Sequence, residues 1–167
     1  MKEEMVDVID DNDKVIKTVP RAEIRKNNLG HRSAHLLIFN SKRELLITKR
    51  SEDKDIEPGF YEYPAGMLSA NESYEENAKR EIYEEPGIQN PEMEFLFDFR
   101  YKDDIRNQFI RVFKVIYDGN IKPMDGEVTD YVFLPKDKLQ ETIKEKKDRF
   151  CKNRIAVLEK YLGEKLT

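Results

Sequence analysis

Three glutamates near the end of one predicted helix have the spacing of a metal-binding cluster. Residues 73–85 contain no Gly or Pro and are predicted to form this helix, with Asn71 as its N-cap. At about 100° per residue, Glu81, Glu84 and Glu85 lie within an arc of roughly 100°. Carboxylates at that spacing repel one another unless cations lie between them, and Mg²⁺ prefers such hard oxygen ligands. The spacing therefore predicts a Mg²⁺ site that would bind a diphosphate and activate an attacking water molecule.

The other interpretation of these glutamates is a solvated helix face, which is the usual role of a run of charges. Three residues at fixed positions around them, Gly66, Glu72 and Gly87, have no role in a mere surface helix. Gly66 allows the backbone to approach a ligand closely, and Gly87 suits a left-handed exit from the helix. Arg80 would hold one of the carboxylates in position through a bidentate pair.

Pro86 directly follows the last of the three glutamates. A proline lacks the amide donor of a helix and disfavours helical dihedral angles at the residue before it. We therefore expect Glu85 to lie in a distorted last turn.

Alternating apolar residues on both sides of this helix predict the strands that would position it. The predicted strands are 5–10 and 15–19, which form an N-terminal hairpin, followed by 35–40, 45–49, 92–100, 109–117 and 128–134. Two helical patterns close the chain, one after Pro135 and one that includes Ile155, Leu158 and Leu162. This order of elements predicts an α/β fold in which helices cover a mixed β-sheet.

Composition limits the classes of protein to consider. The 167 residues, 38% of them hydrophobic, fit a single domain over residues 1–167, and a net charge of −4 gives no reason to expect a nucleic-acid polymer or an acidic membrane as partner. No apolar run has the length of a membrane span, and the first residues do not have the pattern of a signal peptide. The single cysteine, Cys151, excludes an intrachain disulfide and favours a reducing cytoplasm.

The complete pattern of residues 66–88 resembles the box of the Nudix hydrolases. It reads Gly, five residues, Glu, seven residues, then Arg-Glu-aliphatic-x-Glu-Glu-x-Gly-aliphatic, and the chain matches it from Gly66 to Ile88. From about Glu4 to Leu162 the chain also resembles the branch of this superfamily that includes type I isopentenyl-diphosphate isomerases. The resemblance implies an α/β/α sandwich around a mixed sheet, with an N-terminal hairpin at about 4–20 and C-terminal helices at about 136–162.

The resemblance also implies roles for individual residues. Mg²⁺ or Mn²⁺ is expected at Glu81, Glu84, Glu85 and the backbone carbonyl of Ala65. Arg80 is expected to take part in catalysis together with the three glutamates. Gly66, Glu72 and Glu127 are expected to be accessory, and Arg50 and Lys54 to bind the substrate. The alternatives are an exposed strand edge for Glu127 and ordinary surface charge for Arg50 and Lys54.

The branch contains two chemistries, and four positions discriminate between them. Where the isomerases have a catalytic Cys, a metal-binding His and a Glu-x-Glu pair, this chain has Ala65, Met67, Arg106 and Gln108. His31 matches an isomerase metal ligand whose partner is missing, so we expect a structural or substrate-side role for it. The resemblance therefore implies a MutT-like pyrophosphatase.

Such an enzyme would use Mg²⁺ to hydrolyse the diphosphate bond of a nucleoside diphosphate derivative or a related small molecule. The alternatives are an isopentenyl-diphosphate isomerase-like enzyme and a catalytically silent nucleotide-binding module. The expected partners are a small-molecule diphosphate and, if the protein is a homodimer, a second copy of the chain.

Overall fold

The computed structural model describes residues 3–124 and 126–167, which form nine strands and four α-helices. The strands are β1 (Met5–Ile9), β2 (Val15–Pro20), β3 (His31–Phe39), β4 (Leu45–Arg50), β5 (Tyr61–Glu62), β6 (Ala65–Met67), β7 (Glu94–Lys102), β8 (Asn107–Ile116) and β9 (Val128–Leu134). The helices are α1 (Arg21–Lys26), α2 (Tyr74–Glu84), α3 (Lys136–Glu145) and α4 (Lys152–Leu162), with a short 3₁₀ turn at Lys147–Arg149. None of the helices in these ranges combines the length and apolar character that a membrane span needs.

The predicted N-terminal hairpin is confirmed. Strands β1 and β2 are antiparallel, with Met5 opposite Pro20. Asp10 closes the turn, because its carboxylate accepts hydrogen bonds from the backbone N–H groups of Asn12 (2.8 Å) and Lys14 (3.0 Å). The apolar side of the hairpin packs on Ile24 of α1, so the hairpin holds this short helix against the rest of the domain.

The main sheet is mixed, and its strand order is β5-β4-β3-β8-β7. Strand β3 runs parallel to β8 along its whole length, and β7 is antiparallel to β8. On its other side β3 has two partners, since it meets β4 only at Phe39–Leu45 and pairs with β6 at residues 33–35. The sheet thus forks beside β3, and β6 brings Gly66 into the fork.

Helices cover both faces of this sheet, which confirms the α/β/α sandwich. Successive side chains of a strand point to opposite faces. Leu36 of β3 belongs to the core that includes Ile82 of α2, and the adjacent Leu37 belongs to the core that includes Ile143 of α3 and Leu158 of α4. The apolar stripe of α2 is therefore fixed on the sheet, and its acidic side faces the fork.

Candidate active site

Helix α2 begins at Tyr74, one residue later than predicted, and its N-cap is Ser73 rather than Asn71. The Ser73 hydroxyl accepts from the backbone N–H of Glu76 at 3.2 Å, and the Glu76 carboxylate accepts from the backbone N–H of Ser73 at 2.8 Å. Asn71 has a φ of 64° and lies in the preceding turn, so it cannot cap the helix. This reciprocal capping box sets the rotation of α2 and with it the direction of the glutamates near its end.

Gly66 and Glu81 lie against each other at the fork. A Cβ atom added to residue 66 would be 2.0 Å from the Cδ and Oε1 atoms of Glu81. Any side chain at residue 66 would therefore displace the Glu81 carboxylate. The group that lies close to this glycine is the Glu81 carboxylate, and the predicted close approach to a ligand stays a prediction.

Arg80 and Glu72 form a bidentate ion pair beside this contact. Arg80 Nε donates to Glu72 Oε1 at 2.9 Å, and Arg80 Nη2 donates to Glu72 Oε2 at 3.1 Å. Glu72 Oε2 also accepts from the backbone N–H of Ser69 at 2.9 Å and from Asn77 Nδ2 at 3.0 Å. These bonds lower the pKa of Glu72 against the effect of burial, and so Glu72 serves as a fixed anchor for Arg80.

The remaining nitrogen of Arg80 contacts two of the three helix-end glutamates. Nη1 donates to Glu81 at 2.8 Å and to Glu84 at 3.2 Å. The Glu84 side chain is 41% exposed, whereas the Glu81 side chain is only 11% exposed. One guanidinium group thus supplies the positive charge for a buried and an exposed carboxylate.

Burial has the largest effect on the titration of Glu81. Its pKa is raised to about 7 by burial and by the neighbouring charges of Glu84 and Glu127, against the opposite effects of Arg80 and Arg21. Within residues 3–124 and 126–167, no three acidic, histidine or cysteine side chains are grouped closely enough to hold a metal ion together. The donor chemistry nevertheless fits a hard divalent cation, because a buried carboxylate with a raised pKa is stabilised by added positive charge.

Glu85 is the C-cap residue of α2, and it keeps right-handed backbone angles before Pro86. Its φ and ψ are −77° and −66°, and its backbone N–H donates to the Glu81 carbonyl at 2.9 Å. The chain turns only at Gly87, whose φ of 75° is the predicted left-handed exit. The Glu85 side chain is buried, and its negative charge raises the pKa of Arg154. Glu85 thus keeps its hydrogen bond to the last turn of α2 although Pro86 follows it.

Glu127 and Lys54, predicted separately, form an ion pair with each other. The backbone of Glu127 is fixed as well, because its carbonyl accepts from the N–H of Ser51 at 2.8 Å. Since the Glu127 charge contributes to the raised pKa of Glu81, the pair lies on the same side of the molecule as the helix-end glutamates. The structure thus brings together the carboxylate predicted to be accessory and the lysine predicted to bind the substrate.

Arg50 is committed to protein contacts. Its guanidinium group donates to Glu62 Oε1 at 2.7 Å and to the carbonyls of Ile56 at 2.9 Å and Glu57 at 3.2 Å. It therefore ties the segment between β4 and β5 to the sheet, and it also lines a cleft beside β6.

Arg154 is a buried charge of this region that the sequence analysis missed. It comes from α4 and donates to Glu62 Oε2 at 2.8 Å, to the Tyr63 carbonyl at 3.1 Å and to His35 Nε2 at 3.3 Å. Burial and the Arg154 charge hold the pKa of His35 well below its usual range, so this histidine is neutral. The signal in the sequence is a charged residue next to Ile155, on the apolar face of a predicted helix.

A cleft of about 600 Å³, including the solvent at its mouth, lies beside β6. It is lined by five arginines, together with small, aliphatic and polar residues: Arg21, Arg25, Arg50, Arg106, Arg154, Ile24, His31, Ser33, Ile56, Ala65, Gly66, Met67, Ile105 and Gln108. His31 is predicted to be structural or substrate-side, and it lies in this wall. Its Nδ1 bonds to the Leu29 carbonyl at 2.9 Å, and burial lowers its pKa to about 4. The cleft is therefore a cationic recess with a neutral histidine.

The structure pairs the two residues at the isomerase Glu positions with protein groups. Arg106 forms an ion pair with Glu57, and the Gln108 carbonyl accepts from Asn153 Nδ2 at 2.9 Å. Neither residue offers a carboxylate to the cleft.

Sequence comparison relates this chain to one family. The model of the NUDIX domain matches residues 29–153. The chain is 29% identical over 161 residues to an uncharacterised Nudix hydrolase of Pseudomonas aeruginosa, which covers 95% of this chain and 94% of that protein. It is 31% identical over 141 residues to an uncharacterised Nudix hydrolase of Streptomyces coelicolor, which covers 83% of this chain and 78% of that protein.

Solved structures show the same fold. A crystal structure of a Deinococcus radiodurans protein superposes with a TM-score of 0.75 at 22% identity, over 85% of this chain and 90% of that one. The MutT protein of Methanosarcina mazei superposes with a TM-score of 0.60 at 25% identity, over 67% of this chain and 81% of that one.

Proposed function

This chain belongs to the NUDIX domain family and is a hydrolase of diphosphate bonds, and we propose that its reaction is the Mg²⁺-dependent hydrolysis of a nucleoside diphosphate derivative or a related small molecule. The observation that carries the proposal is the packing of Glu81 against Gly66, next to the arginine-lined cleft. The Glu81 carboxylate, which added positive charge would stabilise, lies beside an arginine-lined cleft, which an anion would stabilise. A metal-bound diphosphate supplies both.

The residues that would hold the cation are Glu81, Glu84 and Glu85, with the Ala65 carbonyl as a further oxygen donor. A divalent cation bound there would offset the charge of the diphosphate and lower the pKa of a coordinated water molecule. Mn²⁺ has the same ligand preference and is proposed as a substitute. Arg80, anchored by Glu72, restrains two of the glutamates and would keep them in place as the cation enters.

Side chains of the protein would transfer the proton and bind the substrate. Glu81 either ligates the cation or accepts the proton of the attacking water molecule. The Lys54–Glu127 pair and Arg50 flank the site, and we propose that Lys54 exchanges its contact with Glu127 for a phosphate oxygen. The cleft arginines orient the anionic substrate through charge-assisted hydrogen bonds. The buried, single cysteine is consistent with a reducing cytoplasm, which is the compartment that we propose.

A screen of diphosphate compounds with and without Mg²⁺ tests the proposal. Nucleoside diphosphate sugars, dinucleotides and sugar diphosphates are incubated with the enzyme, and phosphate or monophosphate products are measured. We expect turnover that EDTA abolishes and that Mg²⁺ or Mn²⁺ restores. Full turnover in the presence of the chelator would contradict the metal mechanism.

A further inference from the structure

The cleft beside Gly66 has more guanidinium groups than the carboxylates paired with them, which are those of Glu4, Asp55, Glu57 and Glu62. Five arginines line it, and none of the described residues in its wall is acidic. Arg50 and Arg154 share the single carboxylate of Glu62. Arg106 is paired with Glu57, yet its buried Nη1 atom has no hydrogen-bond partner. Because a divalent cation already offsets much of the charge of a diphosphate, these guanidinium groups have capacity for a further anion.

Arg25 has the weakest compensation of the five. It donates to Asp55 at 3.1 Å, but the Asp55 side chain is 82% exposed, and an ion pair that open to water contributes little. Burial and the positive charges of Arg21 and Arg50 lower the pKa of Arg25 despite the Asp55 and Glu4 carboxylates nearby. An anion bound between these cations would relieve their mutual repulsion.

Arg21 and Arg25 also mark a place separate from the diphosphate. They lie four residues apart on α1 and therefore on one side of it. Both line the cleft and also the adjoining outer depression, so they stand where the two meet. Ala65 and Gly66 line only the inner part. A ligand that reaches both places must carry negative charge at two positions.

The wall between these two places is aliphatic. Ile24, Ile56 and Ile105 line it, and no aromatic side chain does so among the described residues. Aromatic side chains are the usual stacking platforms for a nucleobase. The lining thus favours a small sugar or aliphatic skeleton at this point of the cleft.

We propose that Arg21 and Arg25 bind a second anionic group of the substrate, a phosphate monoester that a small sugar or aliphatic skeleton separates from the scissile diphosphate. This inference rests on the proposed function, because it assigns a specificity to the same site. The substrate class is a compact phosphorylated diphosphate rather than a simple nucleotide.

A matched pair of base-free probes tests the proposal without requiring turnover. Glucose 1,6-bisphosphate and glucose 1-phosphate differ by one phosphate, and their dissociation constants are measured by isothermal titration calorimetry with Mg²⁺ present. We expect the bisphosphate to bind about tenfold more tightly to the wild-type protein, as one charge-assisted hydrogen bond would give. In Arg25→Gln the ratio of the dissociation constant of glucose 1-phosphate to that of glucose 1,6-bisphosphate should fall towards one. In Arg25→Lys most of the preference for the bisphosphate should remain.

Arg43→Gln is the matched control. Arg43 is an exposed arginine in the turn between β3 and β4 and does not line the cleft, so its loss should leave the ratio unchanged. Thermal unfolding confirms that each variant is folded, and Arg21→Gln replaces Arg25→Gln if the latter is not.

Two results would overturn the inference: equal affinity of the wild-type protein for both probes, or the same ratio in wild type and Arg25→Gln. Those results would leave the proposed function intact. Conversely, all the diphosphates of the screen could resist hydrolysis with Mg²⁺ while the bisphosphate preference persists. That outcome would overturn the proposed hydrolysis and leave the second anion site standing.

Discussion

The absent side chain of Gly66 is the space that the Glu81 carboxylate occupies. A Cβ at residue 66 would lie 2.0 Å from Glu81 Oε1, so a strand residue and a helix residue share one volume. The contact joins β6 to the end of α2. It keeps the Glu81 carboxylate beside the cleft, although burial disfavours the ionised form of that carboxylate. The contact with Glu81 therefore requires glycine at this position.

We predict that Gly66→Ala lowers activity at least tenfold and destabilises the fold by about 1–3 kcal/mol, since the added methyl group overpacks the contact. The variant Gly66→Ala/Glu81→Ala should recover most of the lost stability, because the colliding carboxylate is gone. Urea unfolding of the two single variants and the double variant measures this coupling. Additive losses of stability would show that the two residues do not compete for space.

Glu84→Gln and Glu85→Gln keep the side-chain shapes and remove the charges that a divalent cation requires. We predict that kcat falls by several orders of magnitude while both variants remain folded. Each tenfold loss of rate corresponds to about 1.4 kcal/mol of activation free energy. Glu75→Gln on the exposed side of the same helix is the matched control and should keep full activity. Wild-type rates in both variants would place the cation elsewhere.

Removal of Arg154 should destabilise the protein strongly. In Arg154→Met, Glu62 keeps Arg50 as an ion-pair partner and Cys151 as a weak thiol donor, and a buried carboxylate that loses one cation costs about 3–5 kcal/mol. The double variant Arg154→Met/Glu62→Gln should lose less stability than Arg154→Met alone. Lys152→Met, an exposed position of the same helix, serves as the control, and chemical denaturation compares all four proteins.

The buried His31 makes the fold sensitive to acid. Its pKa of about 4 in the folded state lies below the ordinary value of 6.5, so the unfolded chain binds the proton first as the pH falls. The stability from the neutral ring is complete above about pH 6.5 and is lost as the pH falls towards 4. Burial is the main cause, and the charges of Arg21, Arg106 and Arg100 add to it.

The variant His31→Asn isolates this effect, because Asn keeps a donor near the position of Nδ1 and does not titrate. Between pH 7 and 4 the wild type should lose roughly 2–3 kcal/mol relative to the variant. The raised pKa of Glu81 acts in the opposite direction in both proteins and cancels in the comparison. A difference in stability that is independent of pH would contradict the prediction.

The chain should not interconvert isopentenyl and dimethylallyl diphosphate. That reaction needs an acid and a base that deliver and remove protons at carbon. At the matching positions stand Ala65, Arg106 in an ion pair with Glu57, and Gln108 bonded to Asn153. NMR of deuterium uptake from heavy water is the sensitive assay, and enzyme-dependent uptake would show that other groups transfer the proton.

Local patterns predict much of this protein, and long-range contacts explain what they do not predict. The helix that carries Glu81 and the N-terminal hairpin follow from periodicity and turn residues within a few positions. The N-cap of α2 also depends on local sequence, but Ser73 and Asn71 are equally good caps by residue type. Only the backbone conformation of Asn71 excludes it as the cap. The sequence predicts a distorted last turn at Glu85 from Pro86 alone, and in the structure Glu85 lies just outside α2 but keeps its hydrogen bond to the Glu81 carbonyl.

The cleft itself could not be predicted, because its charges come from distant parts of the chain. Arg25 lies on a short helix after the hairpin, and Arg154 lies on the last helix. Each appears in the sequence as one charge among 30 lysines and arginines. Only the packing of α1, α4 and the fork of the sheet places them around one space.

Arginines of the cleft also form hydrogen bonds and ion pairs with the segment between β4 and β5. Arg50 holds the carbonyls of Ile56 and Glu57, Arg106 holds the Glu57 carboxylate, and Arg25 holds Asp55. An anionic ligand thus competes with this segment for the same guanidinium groups. Ligand affinity and the order of the segment are therefore thermodynamically linked, and each must change when the other does. Changes in residues 51–60 would alter the affinity for anions from outside α2, and bound anions would in turn alter the amide exchange of that segment.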